Sequence, residues 1–273
     1  MAIFPSKHTQ LCMSLAARPG NFGTRFHNYL YQALDLDYFY KAFTTVDLPA
    51  AIAGIRALGI RGCAVSMPFK EACIPLVDEL DASAASIASI NTIVNNDGYL
   101  KAYNTDYLAI RQLIQTHALD SDCTLAIRGS GGMAKAVACA FRDAGFARAT
   151  VIARNPEAGP ALANQCGYQW QADVQGVEAD IVVNVTPIGM AGGPEANALA
   201  FSQQTIDVAD VVFDVVALPA RTPLVIAGEA AGKRVISGQD VVALQALEQF
   251  ALYTGVRPSD ALVAEATAFA AAG

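Results

Sequence analysis

A glycine-rich segment near the middle of the chain constrains the fold more than any other part of the sequence. Its six residues match the pattern G-x-G-x-x-A and read Gly129-Ser130-Gly131-Gly132-Met133-Ala134. Apolar and β-branched residues at 124–127 precede it, and a helical pattern follows it. A strand, a tight glycine turn and a helix in this order cradle the pyrophosphate of a dinucleotide. An ordinary strand-to-helix turn is the alternative, but small residues at all three offsets favour a cofactor site.

The residues beyond Asn104 alternate between strand and helix patterns, as in a Rossmann half. Helices are predicted at 105–117, after the glycine turn to Ala144, and at 158–166. The predicted strands are 124–127, 149–153, 180–184, 211–215 and 234–236. We therefore place a dinucleotide-binding domain at residues 104–237.

The first hundred residues also have α/β character, with strands predicted at 10–13, 37–43 and 62–65. Helical patterns at 22–34 and 47–58 separate these strands, and Asp47 is a suitable N-cap for the second helix. The turn signal Asn96-Asp97-Gly98 joins two further strand patterns, which adds an antiparallel hairpin and makes the sheet mixed. The C-terminal helices, from Gly238 onward, are expected to return to this domain. The chain is thus predicted to be an α/β protein of two domains, residues 1–103 with 238–273, and residues 104–237.

The composition fits a folded globular protein and disfavours several partners. Of the 273 residues, 53% are hydrophobic and 16% are charged, which argues against disorder. A formal charge of −7 without any basic run disfavours nucleic acid binding. No stretch approaches the ~20 apolar residues of a membrane span, and the N-terminus lacks a secretory pattern, so we expect a cytoplasmic protein with no membrane partner.

The cysteines and histidines show no spacing typical of a metal site. Six cysteines occur without a C-x-x-C motif, and no two of the three histidines have ligand spacing. The sequence therefore predicts no bound metal. His27 alone is a candidate for lining a ligand cleft.

The residues after the second strand of the nucleotide domain indicate which dinucleotide is bound. An NAD site usually places Asp or Glu here, whereas this chain has Arg154-Asn155 and no acidic residue from Ala153 to Pro156. A guanidinium is a permanent planar cation that suits a 2′-phosphate. We therefore expect NADP, with NAD less favoured, although a solvated arginine at the end of a strand is a common alternative.

Lys70 and Asp106 are candidates for proton transfer. Lys70 follows the apolar strand that ends at Val65, and Pro68 can begin a helix there. Asp106 begins the helix that enters the second half, so we expect both side chains to face one cleft. A lysine beside a carboxylate can pass a proton in either direction. A surface lysine and a carboxylate favoured by the helix dipole are the competing interpretations.

Several short motifs occur together and in a familiar order. They are Pro68-Phe69-Lys70, Asn91-Thr92, Asn104-Thr105-Asp106, the glycine loop, Asn184-Val185-Thr186, Gly189-Met190 and Gln245. Together they resemble the shikimate dehydrogenase family over most of the chain. The resemblance implies a two-domain enzyme with an N-terminal catalytic domain and a Rossmann-type NADP-binding domain. It implies reversible reduction of 3-dehydroshikimate to shikimate, a cyclic polyhydroxy carboxylate of the shikimate pathway, by a monomer or homodimer.

The resemblance also assigns individual residues to roles. Lys70 matches the catalytic lysine and Asp106 its partner. Four residues match those that bind the substrate: Ser14, Ser66, Asn91 and Gln245. Arg154 and Asn155 correspond to the 2′-phosphate cluster. Beyond the glycine loop, the other expected cofactor-binding residues are Asn184, Thr186, Gly189, Met190, Val215 and Gly238.

The departures from the family pattern fall mainly on the substrate contacts. The second serine of the carboxylate clamp is absent after Ser14, Ala64 replaces a common Asn, and Ala217 replaces a Tyr. Arg18 can offset the binding lost with the Tyr by pairing bidentately with a carboxylate, and a solvated loop arginine is an equally good interpretation. On the cofactor side, Pro156 stands where a Thr is usual. A quinate or aminoshikimate dehydrogenase, and a nucleotide-sensing protein with weak catalysis, therefore stay open as alternatives.

Overall fold

The computed structural model describes residues 5–272, which divide into two compact units. The first unit comprises the described residues up to Thr105 together with those from Ala243 onward, and the second comprises Asp106–Val242. The divisions predicted from the sequence follow Tyr103 and Ser237.

The first unit contains a six-stranded mixed sheet. Its strands are β1 (Gln10–Leu15), β2 (Tyr38–Phe43), β3 (Gly62–Val65), β4 (Glu79–Leu80), β5 (Thr92–Asn96) and β6 (Tyr99–Tyr103). Its first helices are α1 (Phe22–Ala33), α2 (Leu48–Ala57), α3 (Phe69–Ala72) and α4 (Ala82–Ala85), with a 3-10 turn at Ile74–Leu76. The strand order is β2-β1-β3-β5-β6-β4. Strand β1 pairs in parallel with β2 and β3, and β5 pairs antiparallel with β3 and β6. The predicted mixed sheet is confirmed.

Two local signals in this unit form as the sequence predicts. The Asp47 side chain accepts a 3.0 Å hydrogen bond from the backbone N–H of Ala50 and so caps α2. Between β5 and β6, Asp97 and Gly98 have φ values of 54° and 92°. Positive φ at both central residues is typical of the two-residue turn whose twist matches a hairpin.

The second unit contains a six-stranded parallel sheet. Its strands are β7 (Leu125–Arg128), β8 (Ala149–Ile152), β9 (Gln169–Gln171), β10 (Ile181–Asn184), β11 (Val211–Asp214) and β12 (Arg234–Ile236). The helices from here to the C-terminus are α5 (Thr105–Thr116), α6 (Gly132–Asp143), α7 (Ala158–Cys166), α8 (Gln203–Val208), α9 (Pro223–Ala230), α10 (Gly238–Thr254) and α11 (Asp260–Ala271). The order β12-β11-β10-β7-β8-β9 reverses between β7 and β10, as in a doubly wound Rossmann sheet. The short edge strand β9, with Trp170 as its middle residue, is not among the strands predicted from the sequence.

The core of the first unit is rich in aromatic rings. Helices α1, α10 and α11 supply buried residues that pack with Cys12 and Tyr40 against one face of the sheet. His27 lies within this core, with none of its surface exposed and its ring 4.5 Å from that of Tyr40. The expectation that His27 lines a cleft is therefore wrong. Among the described residues, no helix is long and apolar enough to cross a membrane.

Burial decides the protonation state of His27. Neither ring nitrogen has a hydrogen-bond partner among the described residues. Burial lowers the pKa of His27 from 6.5 to about 3. The nearby Gln249 side chain opposes this shift but is not placed to form a hydrogen bond with the ring. The phenols of Tyr31, Tyr40 and Tyr253 around it have raised pKa values because they are buried too, so the cluster is neutral at pH 7.

We predict that acid destabilises the fold through His27. The folded-state pKa lies below the unfolded value, so the unfolded chain takes up a proton first as the pH falls. The stabilisation is present above about pH 6.5 and is lost progressively towards pH 3. Between pH 7 and pH 5, protonation of His27 in the unfolded chain should lower the free energy of unfolding by about 2 kcal/mol. His27→Phe should abolish this decrease. Denaturant unfolding at several pH values measures this loss, with exposed His8→Gln as control. An unchanged pH slope in His27→Phe would contradict the prediction.

Candidate functional site

Ser14 lies in a row of side chains that crosses the sheet of the first unit. In register, Ser14 on β1 stands beside Ala42 on β2 and Ala64 on β3, and Ala64 stands beside Thr92 on β5. Residues in register on neighbouring strands project to the same face. The Ser14 hydroxyl is therefore flanked by two methyl groups, and neither neighbour supplies a second hydroxyl.

The backbone of the first unit brings Ser66, Lys70 and Asn91 to one end of the sheet. The Val65 N–H donates to the Asn91 carbonyl at 2.7 Å, and the Ile90 N–H donates to the Lys70 carbonyl at 3.0 Å. The Ser66 N–H donates to the carbonyl of Leu15, the last residue of β1, at 2.9 Å. Three of the predicted site residues therefore follow or flank the carboxyl ends of β1 and β3, where α/β sheets collect functional groups.

The side chain of Asn91 is buried and accepts three hydrogen bonds from within the protein. Its Oδ1 accepts hydrogen bonds from the Thr105 N–H at 2.7 Å, the Thr92 hydroxyl at 2.9 Å and the Thr105 hydroxyl at 3.1 Å. These donors occupy the lone pairs of that oxygen, so only the Nδ2 amide group of Asn91 has donors to offer a ligand. The same bonds fix Thr105, the residue that precedes Asp106.

Gln249 is a buried polar residue near this site that the sequence motifs did not predict. This side chain is 5% exposed, and its Nε2 donates to the Thr92 hydroxyl at 3.1 Å. Gln245 lies four residues earlier on α10 and therefore on the same face of that helix, where it is half-buried. A polar residue repeated at this spacing in an apolar helix is a signal that could have identified Gln249.

Asp106 lies in the first turn of α5, in the part of the chain that belongs to the second unit. It is partly buried. A carboxylate in the first turn of a helix is stabilised by the helix dipole.

The second unit holds a groove of about 410 Å³ at the carboxyl ends of β7, β8 and β10. Six predicted cofactor-binding residues line it: Gly129, Ser130, Gly131, Arg154, Asn155 and Thr186. The other eight lie outside its lining: Gly132, Met133, Ala134, Asn184, Gly189, Met190, Val215 and Gly238.

The glycines of this loop are required for different reasons. Gly129 has a φ of +133°, and a Cβ there would lie 2.9 Å from the backbone oxygen of Val185. The fold itself therefore requires Gly129. At Gly131, by contrast, φ is −79° and a Cβ would meet no protein atom within 4 Å, and the same space is open at Gly132. Nothing in the packing requires these two glycines, so their open space fits a group that approaches the backbone closely.

Asn184 and Asp214 fix the loops around this groove. Asn184 Nδ2 donates to the Ile188 carbonyl at 3.1 Å and to Asp214 Oδ1 at 3.0 Å, while its Oδ1 accepts from Thr186. Asp214 also accepts from the Thr222 hydroxyl at 2.5 Å. Burial raises the pKa of Asp214, and these hydrogen bonds oppose that shift. Asn184 thus uses its polar atoms within the protein and acts by holding Thr186 in place.

Three further predicted residues have backbone roles in the second unit. Gly189 has a φ of +87° and donates from its N–H to the Glu195 carbonyl at 3.0 Å. A Cβ at Gly238 would lie 2.3 Å from the Val216 carbonyl group, so the start of α10 packs directly on that backbone. The Val215 N–H donates to the Asn184 carbonyl at 3.0 Å.

Two arginines give the groove its positive charge. Arg154 is 82% exposed, and its guanidinium lies 3.9 Å from the Glu195 carboxylate. Arg128, which sequence reasoning missed, lines the same groove and donates to the Ala200 carbonyl. Asn155 Oδ1 accepts from the N–H groups of Glu157 and Ala158 at 2.9 Å and so holds the chain at the start of α7. Among the described residues, no cluster of three or more His, Cys, Asp and Glu side chains is placed to hold a metal.

These features define an α/β protein with a mixed-sheet unit and a Rossmann-type unit. A family description, the shikimate dehydrogenase substrate binding domain, matches residues 22–93. The chain is 57% identical to a shikimate dehydrogenase-like protein of Haemophilus influenzae, with 97% of this chain and 98% of the relative covered. It is 35% identical to a shikimate dehydrogenase (NADP(+)) of Pelodictyon phaeoclathratiforme, with coverages of 85% and 86%. The chain therefore belongs to the shikimate dehydrogenase family.

Solved structures support the same conclusion. A shikimate 5-dehydrogenase-like protein superposes with a TM-score of 0.96 at 56% identity, covering 98% of this chain and all of the other. The Thermus thermophilus shikimate 5-dehydrogenase, solved with NADP(H) and shikimate, gives 0.85 at 26% identity, with coverages of 96% and 99%. Quinate dehydrogenase from Corynebacterium glutamicum, solved with NAD, gives 0.86 at 25% identity, with coverages of 97% and 99%.

We predict that the two glycines at the start of this loop respond differently to substitution. Gly131→Ala should leave thermal stability unchanged, because its methyl meets no protein atom. It should raise the Kd of NADP⁺ about tenfold or more, because the methyl fills space that a pyrophosphate needs. Gly129→Ala should instead destabilise the fold by about 1–3 kcal/mol, because of its positive φ and the close Val185 carbonyl. Calorimetric titration and thermal melts measure both effects. Unchanged NADP⁺ affinity in Gly131→Ala would refute this assignment of the groove.

Proposed function

We propose that this chain is an NADP-dependent oxidoreductase that interconverts 3-dehydroshikimate and shikimate, or a closely related cyclic hydroxy acid. One observation carries the proposal. Ser14, Ser66, Lys70 and Asn91 lie together at one end of the first-unit sheet, in a chain whose second unit has a groove lined by a glycine loop and cations. Membership of the shikimate dehydrogenase family supports the reaction class.

Each residue in the first unit has a chemical role in this proposal. The Lys70 ammonium donates a proton to the oxygen of the ketone as it becomes a hydroxyl, and in the reverse direction the neutral Lys70 amine accepts that proton. The resemblance to the family assigns Asp106 as the partner of Lys70. The Nδ2 of Asn91 and the amide of Gln245 hold ring hydroxyls, while Ser14 and Ser66 hold the carboxylate end. When bound, the nicotinamide supplies or accepts the hydride.

The second unit accounts for the choice of cofactor. The exposed guanidinium of Arg154 suits a 2′-phosphate, and residues 153–156 offer no carboxylate to an unphosphorylated ribose. The open space at Gly131 and Gly132 fits the pyrophosphate. Relatives that carry the name shikimate dehydrogenase (NADP(+)) support the same choice.

A quinate-type substrate is the second candidate, and a specific observation favours it. Ser14 stands between Ala42 and Ala64, and the methyl group of Ala64 takes up less space than the Asn that is common at that position. Quinate carries an additional hydroxyl at its carboxyl-bearing carbon and needs such room. The similarity to a structure of quinate dehydrogenase supports this candidate.

We predict that the wild-type chain reduces NADP⁺ with shikimate and that Lys70→Ala lowers kcat by about 10² to 10⁴. Loss of the proton donor should slow chemistry, while the Kd of NADP⁺ should stay within about twofold, because Lys70 belongs to the other unit. Absorbance assays with shikimate, quinate and an aminoshikimate, each with NADP⁺ and NAD⁺, measure the turnover.

The control for this experiment is Lys7→Ala, which removes an exposed lysine of the same unit and should change nothing. Faster turnover with quinate than with shikimate would favour the second candidate. Full activity in Lys70→Ala would remove Lys70 from the mechanism. NADP⁺ binding without turnover on any substrate would identify a nucleotide-sensing protein instead.

We also predict that Arg18 binds the substrate carboxylate. The Ala17 N–H donates to the Met67 carbonyl at 3.1 Å, which places the exposed Arg18 loop against the segment that contains Ser66. Arg18→Ala should raise the KM for shikimate about 10- to 100-fold, the worth of a charged hydrogen bond, with a smaller change in kcat. Shikimate methyl ester, which lacks the charge, should show no such difference between the variant and the wild type. Equal effects on acid and ester would contradict this role.

A further inference from the structure

The Glu195 side chain forms an ion pair with Arg154. Its carboxylate lies 3.9 Å from the Arg154 guanidinium, and 41% of its surface is exposed. Arg154 itself is 82% exposed, so solvent or a ligand can replace this contact without unfolding the loop.

The loop that carries Glu195 is held by its backbone. The Glu195 carbonyl accepts hydrogen bonds from the N–H groups of Gly189 at 3.0 Å and Ala198 at 3.1 Å. Arg128 donates to the Ala200 carbonyl on the same loop. The Glu195 carboxylate is therefore presented to Arg154 by a fixed loop, and none of these bonds depends on its side chain.

The lining of the groove carries two cations, Arg128 and Arg154, and the carboxylate of Asp173, and Glu195 adds a further carboxylate beside Arg154. Glu195 attracts both arginines. Burial and the neighbouring Arg154 lower the pKa of Arg128, while Glu195 opposes that shift. A 2′-phosphate is a phosphate monoester with nearly two negative charges at pH 7. It would compete with Glu195 for Arg154 and be repelled by its carboxylate.

The residue beside these charges provides no compensating donor. Pro156 follows Asn155, and proline has neither a hydroxyl nor a backbone N–H. Asn155 Oδ1 accepts from the chain at the start of α7, so Asn155 can offer a phosphate only its uncharged Nδ2 group. Arg154 is thus the main exposed cation for a phosphate here, and the competition of Glu195 for it has a direct effect on phosphate affinity.

We infer that Glu195 is a specificity-determining residue that reduces the preference of this chain for NADP over NAD, an inference that rests on the proposed function. Glu195 pairs with Arg154, and the 2′-phosphate of NADP must displace that pair. NAD has no 2′-phosphate and leaves the pair in place. The chain therefore discriminates between the two dinucleotides less than Arg154 alone would allow.

The test is direct binding of NADP⁺ and NAD⁺ to the full-length chain by calorimetric titration, with no turnover required. Glu195→Gln keeps the size of the side chain and removes its charge. It should tighten NADP⁺ binding roughly three- to tenfold and change NAD⁺ binding less than about twofold. Glu178→Gln is the matched control, because it removes an exposed carboxylate of the same unit that does not line this groove.

The same substitution in the Arg154→Gln variant tests whether Glu195 acts as a competing charge or has only a structural role. In Arg154→Gln, the further change Glu195→Gln should give clearly less gain in NADP⁺ affinity than in the wild-type background. Equal gains for both dinucleotides, a gain equal to that of Glu178→Gln, or weaker NADP⁺ binding in Glu195→Gln would overturn the inference. Failure of shikimate turnover with normal NADP⁺ binding would instead refute only the proposed reaction, so the two failures are distinguishable.

Discussion

The buried carboxamide oxygen of Asn91 is the acceptor on which the first-unit site depends. Three donors converge on it, two of them from Thr105 and one from Thr92. Thr92 in turn accepts from the buried amide of Gln249 on α10. Removing a partner from such a network leaves a buried polar group unsatisfied, at a cost of about 1–3 kcal/mol. One oxygen thus ties β5, Thr105 and a C-terminal helix together and leaves the amide nitrogen of Asn91 for a ligand.

The second unit depends on a similar division between groups used by the protein and groups offered to a ligand. Asn184, Asp214 and Thr222 satisfy one another inside the unit, and Gly129 packs against Val185. These residues bring the strand ends together without needing a ligand. Gly131, by contrast, has open space that the protein does not fill, and Arg154 is exposed and paired with Glu195 in a contact that a ligand can replace.

The sequence was most informative where local signals are strong. The predicted bounds of β3, α7 and β12 coincide with the observed ones, because turn residues delimit them. Strand β9 was missed because Gln169-Trp170-Gln171 is short and polar and lies at the sheet edge. Its Trp170 packs where Gly159 has no side chain. That contact joins residues eleven apart and leaves no periodic signal.

The candidate site shows the same limit. The glycine loop and Arg154 were predicted because strand, turn and helix are adjacent in the chain. Gln249 and Glu195 were not, because their partners Thr92 and Arg154 lie far away in the sequence. Asn184 was expected to face a cofactor, yet its amide is used by Thr186, Ile188 and Asp214. A polar residue in a motif identifies a position, but only the fold shows which of its atoms remain available.

The most direct test of the proposed reaction follows the hydrogen that passes from shikimate to the dinucleotide. Shikimate deuterated at the ring carbon that bears the 3-hydroxyl is incubated with the chain and NADP⁺, and the dinucleotide is analysed by mass spectrometry. Direct transfer predicts reduced NADP that carries one deuterium, with 3-dehydroshikimate formed in equal amount. Reduced dinucleotide without the label, or no reduced dinucleotide at saturating substrate, would contradict the assignment of this chain as a shikimate-oxidising enzyme.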